Sequence, residues 1–563
     1  MPKTLLALAA LLASSSALAD TLITNANGVQ VDANGKLERF TGILIGDDGK
    51  VQRLLHGEML KLRDAKVVDA GGRTVLPGLI DAHGHVLESP GGSVGLGLLK
   101  LQLDLFGTSS IADLQQRLKA YAEANPGSGW IVGRGWNQEL WPDKRFPTAA
   151  DLDKVVSDRP VWLVRVDGHA AIGNTAALSA GTVTARTQDP VGGKIERDAD
   201  GEPTGLFIDN AIRIVDAEIP DPSPATLDRA LGAAQETLLA FGITATEDMG
   251  TSVTTWEALR RAGEAGRLKI RIISYANDVD AMRALVPNGP TPWLYSDRLR
   301  MVGVKIYADG ALGSRGARLK QPYADKPDTQ GLLFLTDEEL RQKSEEAAKL
   351  GFQVAVHAIG DAANAQVIAN YESLAQYCTR DCRWRIEHFQ IVDPADIPRL
   401  KPVGIIASMQ PAHQTGDRLM AEARLGPDRL KGAYAWQTIE KLGIPIAFGS
   451  DYPAESPDPF PGLSAAVSRQ DINGQPPGGW FPEERLSFEQ ALAAFTRGAA
   501  YAGFAEGKIG SLDEGKWADF IVVDREVSKV DPQALARTQV LETWVGGKKV
   551  YERPVSAGAE RGR

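Results

Sequence analysis

The sequence predicts an α/β protein built on a (β/α)8 barrel, with a small β-sandwich domain assembled from both ends of the chain. Three observations carry this. Eight apolar segments of strand length recur through the middle: Leu79 to His85, Ile243 to Asp248, Ile270 to Tyr275, Val302 to Tyr307, Gln353 to His357, Trp384 to His388, Gly404 to Met409 and Ile446 to Asp451. Helical patterns separate most of them, such as Asp337 to Leu350 after the capping candidate Thr336, and Ala362 to Gln376, which is the rhythm of a parallel sheet. Polar residues end several of the segments, including four of the chain's seven His, and a barrel of this kind carries its site at the C-terminal ends of its strands.

Taken in order, residues 1–19 read as an export signal: Lys3, the apolar run Leu5 to Leu12, then Ala17-Leu18-Ala19 before Asp20. Cleavage after Ala19 would place the mature chain in the periplasm or outside the cell, and the run is too short to span a bilayer. Residues 20–76 hold short β pieces such as Thr21 to Thr24 and Thr41 to Ile45, the first part of the sandwich. Residues 77–500 form the barrel. Between about 90 and 230 the chain has its own strands and turns (Trp130 to Gly133, Pro160 to Val166, Gly192-Gly193-Lys194), read as an insertion after the first barrel strand and over the barrel mouth. Residues 501–555 complete the sandwich with Asp519 to Val523, Val540 to Val545 and the turn Gly546-Gly547-Lys548. Cys378 and Cys382, the only two Cys, would form a disulfide in an oxidising compartment or remain two thiols, and are too few for a Cys zinc site. With 43% apolar and 24% charged residues the composition is that of a globular protein, and a formal charge of −10 argues against a nucleic-acid partner.

The chemistry concentrates at the segment ends. His83 and His85 are two apart and so share one face of a strand. His357, His388 and Asp451 close three later segments. A lone strand-end His is usually structural, but several at one barrel face make a site for a divalent metal such as zinc. Asp451 alone would read as a cap or turn residue; at the end of the eighth strand it faces the same centre, able to ligate metal and to take a proton from water. Lys305 sits inside an apolar strand, where Lys is rarely buried without a partner. From spacing alone the simpler reading is a head that escapes to a salt bridge at the barrel end; the functional reading is carboxylation by carbon dioxide, giving a carbamate able to bridge two metals.

These residues resemble the metal-dependent amidohydrolase superfamily, most closely its amidohydrolase-3 branch, which includes N-substituted formamide deformylases. The resemblance rests on Pro77 to His85, Val304 to Arg315, His357-Ala358-Ile359-Gly360-Asp361, Arg385 to His388, Gly449-Ser450-Asp451 and Gly510 to Phe520. It covers nearly all of the mature chain, with six motifs in the right order. It implies His83, His85 and Asp451 as ligands of one metal, His357 and His388 as ligands of a second, and carboxylated Lys305 as the bridge, two zinc ions being expected. With Lys305 unmodified it implies a single metal on His83, His85, His357 and Asp451. His169, within a recurring motif of this branch, is either a pocket residue or a structural one, and His413, after the seventh strand, is a substrate-binding candidate. Asp309 and Arg315 either clamp substrate or pair with each other, the pairing being the simpler reading. Trp136 and Trp141 wall the pocket or serve as core.

The reaction so implied is hydrolysis of a non-peptide C–N bond in a small molecule (amide, formamide or cyclic amide), with Asp451 as general base and then acid. Deamination of an amino-heterocycle on one metal, cleavage of an ester, lactone or phosphotriester, and a secreted binding protein with a structural metal stay open in that order.

Overall fold

The computed structural model describes residues 20–58, 60, 64–89, 93–166, 168–378 and 381–554; the expected export signal lies outside them. The chain divides into two compact units, residues 1–95 with 235–563, and residues 96–234.

The first unit is built on an eight-stranded parallel sheet in simple chain order. Its strands are β1 (Leu79–Gly84), β2 (Ile243–Thr251), β3 (Arg271–Ala276), β4 (Leu299–Tyr307), β5 (Gln353–Ala358), β6 (Arg385–His388), β7 (Ile406–Met409) and β8 (Ile446–Phe448). These segments are buried along nearly their whole length, as strands covered on both faces must be, and so they read as apolar runs rather than alternating ones. The sheet closes on itself just beyond β8: the Asp451 amide donates to the His83 carbonyl at 2.7 Å, and the His85 amide to the Tyr452 carbonyl at 2.9 Å. Helices return between strands. α1 (Asp337–Lys349) begins at a reciprocal cap in which Thr336 and Glu339 bond each other's backbone. α2 (Asp361–Leu374) follows β5, and α3 (Pro411–Leu425) follows β7.

Both chain ends supply the flanking sheets of this unit. A four-stranded sheet joins Val51–Leu55, Gly42–Ile45, Thr21–Thr24 and Lys66–Asp69. A six-stranded one runs Lys548–Glu552, Val540–Val545, Phe520–Val523, Thr74–Pro77, Asn27–Val31 and Leu37–Phe40. Ile23, Ile43, Val75, Phe520 and Trp544 pack in one core between them. Thr74–Pro77 is central, paired to Asn27–Val31 on one side and Phe520–Val523 on the other, and it runs straight into β1. The sandwich is also pinned to the barrel by a buried ion pair, Arg271 on β3 with Asp519, at 2.7 and 2.9 Å.

The second unit, residues 96–234, has its own six-stranded sheet: Leu103–Asp104, Ile131–Trp136, Val161–Arg165, Ala170–Gly173, Pro203–Asp209 and Gly193–Arg197. Trp136 and Trp141 belong to its core, their indole N–H groups bonded to the carbonyls of Leu163 and Thr108. Cys378 and Cys382 are joined as a disulfide. Among the described residues no helix is long and apolar enough to cross a membrane.

Candidate metal centre

The parallel register brings the strand ends level: Tyr307 lies beside His357, His357 beside Glu387, and Ala358 beside His388. Beyond the ladder the backbone turns sharply. His388, Phe389 and Asp451 hold φ of 77°, 46° and 61°, a left-handed conformation that costs non-glycine residues energy and persists where surrounding structure enforces it.

Asp451 Oδ1 lies 3.1 Å from His85 Nε2 and 3.5 Å from His83 Nε2. His83 Nδ1 is 2.6 Å from Glu387 Oε2, and Lys305 Nζ is 3.1 Å from His83 Nε2. His388 sits with its ring centroid 4.7 Å from that of His83 and 4.5 Å from that of His357. Its Nδ1 is 2.9 Å from Gln410 Oε1. His413, in the first turn of α3, has Nε2 3.7 Å from Asp451 Oδ2. The six residues expected as ligands therefore gather at one end of the barrel, with His413 beside them.

A divalent cation fits this donor set. The ligand atoms of His83, His85 and Asp451 lie within 4.8 Å of one another, as do those of His388, His413 and Asp451. Burial, and next the neighbouring Lys305, push His83 down to about 4 and His357 down to about 3; burial likewise drives His388 well below the usual histidine range. Neutral imidazoles keep the lone pairs that metal binding requires. Burial alone would raise Asp451, but the His85 hydrogen bond and the surrounding imidazoles overcome it and hold the carboxylate ionised. The His357 Nε2 is buried without a hydrogen bond, 3.6 Å from Asp309 Oδ1.

Beneath the candidate ligands lies a charged network that the sequence reading missed. Arg385 is fully buried and donates to both oxygens of Glu387 at 2.6 and 3.1 Å, to Ser408 Oγ at 2.8 Å, to the Ala82 carbonyl at 2.7 Å and to Glu247. Two carboxylates thus share one guanidinium. Burial opposes the charge on Glu387, yet Arg385 and the His83 hydrogen bond hold it well below the carboxylate range, whereas burial prevails at Glu247 and pushes it up to about 8. Glu387 in turn fixes the His83 ring, and such outer partners orient a ligand and raise its basicity. The available signal was Arg385 and Glu387, two charges two residues apart in an apolar strand.

A second support is Asp81, whose Oδ1 accepts from the amides of His83 and Ser450 at 3.0 Å each and whose Oδ2 accepts from Ser450 Oγ at 2.6 Å. It ties β1 to the segment carrying Asp451. Gly449 makes this approach possible: a Cβ there would lie 2.5 Å from Asp81 Oδ1 and from the His83 amide nitrogen. Gly449→Ala is therefore expected to cost about 1–3 kcal/mol of stability, as overpacking does, and to lower metal content, readable by thermal unfolding and elemental analysis.

Two of the expected substrate contacts are committed to other partners. Asp309 and Arg315 do not pair. Asp309 is fully buried, and its oxygens accept the amides of Ile359, Gly360 and Arg318 at 2.8–3.0 Å. It organises the β4 and β5 loops beside His357. Arg315 instead forms a two-point pair with Asp325, at 3.1 and 2.8 Å. His169 lies in the second unit, exposed, its Nδ1 2.8 Å from Asp209 Oδ1.

Comparison with known proteins places the whole chain in a family. The model of the amidohydrolase family matches residues 66–551. The protein LONG AFTER FAR-RED 3 of Arabidopsis thaliana is 35% identical over 554 residues, covering 95% of this chain and 92% of its own. The N-substituted formamide deformylase of Arthrobacter pascens is 27% identical over 545 residues, covering 95% and 98%. Among solved structures, an uncharacterized metal-dependent hydrolase from Pyrococcus horikoshii OT3 superposes with a TM-score of 0.75 at 28% identity, covering 91% of this chain and 99% of that one. The motifs and the whole-chain comparisons point the same way: this protein belongs to the amidohydrolase family and is a hydrolase.

Proposed function

We propose that this protein hydrolyses a non-peptide C–N bond in a small amide, formamide or cyclic amide, using two zinc ions. The observation that carries this reading is the convergence of neutral imidazoles with one ionised carboxylate and a buried lysine at the end of the barrel. The likeness to a formamide deformylase supports the bond class. His83, His85 and Asp451 would hold one ion, His357 and His388 the other, and a carboxylated Lys305 would join them. A divalent cation bound by such a set supplies an acidified water and polarises a carbonyl.

The chain's own groups handle the protons. Asp451 has Oδ1 against His85, while Oδ2 is 3.7 Å from His413. It takes a proton at the carboxylate and returns it to the leaving nitrogen, since an amine departs readily only when protonated. His413 Nε2 stands beside Asp451 to hydrogen-bond the substrate oxygen as charge builds on it. The disulfide supports export, because such bonds persist in oxidising compartments.

The deciding experiment offers purified, zinc-loaded protein a panel of N-formyl, N-acyl and hydantoin-like compounds. Release of acid and amine is expected, and chelation should stop it without changing the circular dichroism spectrum. Turnover of no panel member, or turnover untouched by metal removal, would overturn the reading.

Carboxylation sets a pH dependence. Carbon dioxide reacts with the free amine, and burial pushes Lys305 down to about 8. At pH 7 that leaves about a tenth of the amine uncharged, against about one part in 2,500 for an ordinary lysine of pKa ≈ 10.4. Metal-free protein reconstituted with zinc should therefore regain activity slowly in carbon dioxide-free buffer. At a fixed concentration of dissolved carbon dioxide it should recover faster as pH rises from 7 to 8, measured by timed assay.

A further inference from the structure

We infer that Gln390 is a positioning residue that holds His413 as an Nε2–H donor, keeping it out of the metal-ligand set and available to the substrate oxygen. The inference rests on the hydrolytic reading above for its consequence, though not for its geometry. Gln390 Nε2 lies 3.1 Å from His413 Nδ1. A side-chain amide nitrogen only donates, and a neutral imidazole has one donor and one acceptor nitrogen. Nδ1 is therefore the acceptor, and the ring proton sits on Nε2. A second observation agrees: Nε2 faces the anionic Asp451 Oδ2 at 3.7 Å, which favours an N–H there yet is too long for a hydrogen bond. The proton is directed at the centre and uncommitted.

His388 shows the reverse polarity. Its Nδ1 donates to the carbonyl oxygen of Gln410 at 2.9 Å, which frees its Nε2 lone pair for a cation. The two rings lie 6.1 Å apart, nearly parallel at 27°, and either could reach an ion by distance alone. The two glutamines separate their roles, one through its carbonyl and the other through its amide nitrogen. Gln390 is well anchored for this: it is buried, and its backbone carbonyl accepts the Tyr434 amide at 2.8 Å. The left-handed pair His388 and Phe389 immediately before it turns the chain at the end of β6, so one turn sets both the ligand and the group that fixes its neighbour's tautomer.

Two measurements test this. Nitrogen-15 histidine NMR on the zinc-loaded protein, with His413→Asn identifying the resonances, should show a protonated Nε2 and an unprotonated Nδ1. The opposite tautomer overturns the inference whatever the substrate proves to be, so its failure is separable from failure of the hydrolytic reading. Gln390→Glu supplies an acceptor that draws the proton to Nδ1. It should lower kcat about 100-fold with KM little changed, the scale of losing one oxyanion donor. In a His413→Ala background the same change should have no further effect. An unchanged kcat, or an equal fractional loss in that background, would show a merely structural glutamine.

Discussion

Lys305→Ala is expected to abolish turnover and to strip metal from the site. Lys305 is 1% exposed, its Nζ 3.1 Å from His83 Nε2 and 5.0 Å from the centre of the Tyr307 ring. As an ammonium it would share a small buried volume with a divalent cation. At about 4 Å and an effective dielectric of about 20, each pair of unit charges repels by about 4 kcal/mol, so ammonium and metal oppose each other by about 8. A carbamate reverses that sign. With the proposed carbamate in place, the alanine variant would lose both the anion and the bridge, and kcat should fall about 10³-fold or more, given several kcal/mol of lost charge stabilisation at about 1.4 kcal/mol per decade. Elemental analysis should show fewer than two zinc ions per chain, and short carboxylic acids should restore part of the activity by occupying the vacated space. A variant with full turnover and two metals would rule out the bridging carbamate.

Arg385→Met should be the most destabilising single change at the site. It leaves Glu387 and Glu247 buried without their guanidinium, and removing one partner of a buried pair costs about 3–5 kcal/mol. For a chain of this size that lowers the unfolding temperature by about 3–5 °C. Glu387 would also lose the fork that aims it at His83, and disturbed outer partners weaken metal binding about 10- to 100-fold. Adding Glu247→Gln should change stability little further, because burial already holds Glu247 largely protonated at neutral pH, and metal affinity should stay low. Thermal unfolding of the native protein and both variants, beside zinc titration of each, checks both halves. Equal metal affinity in Arg385→Met and the native protein would mean that the network supports the fold and not the ligands.

The barrel was legible in the sequence because parallel strands buried on both faces are apolar almost throughout. The segment read as Ile270 to Tyr275 falls one residue from β3, Arg271–Ala276. The eighth strand was read too long: its ladder stops at Phe448, and the chain turns so that Asp451 adopts a φ of 61°. Backbone turning of that kind leaves little trace in hydrophobicity. The candidate ligand positions were legible for the opposite reason, since His and Asp stand out where apolar runs end. Asp309 was misread because its partners are the amides of Ile359, Gly360 and Arg318, which carry no side-chain signature. Gln390 and Gln410 were invisible for the same reason that they matter: an amide looks like any polar residue until its distance to an imidazole nitrogen is known.

The position of Thr74–Pro77, held between a strand from near residue 30 and one from near residue 520, constrains how the protein comes into being. The ribosome makes the first histidine pair early, yet the strand leading into it gains its second neighbour only when the last tenth of the polypeptide has emerged. Asp451, which completes the ring of strands, also arrives late. If the proposed centre holds zinc, its capture is an event of the finished molecule, and a nascent chain stalled before residue 520 should carry none.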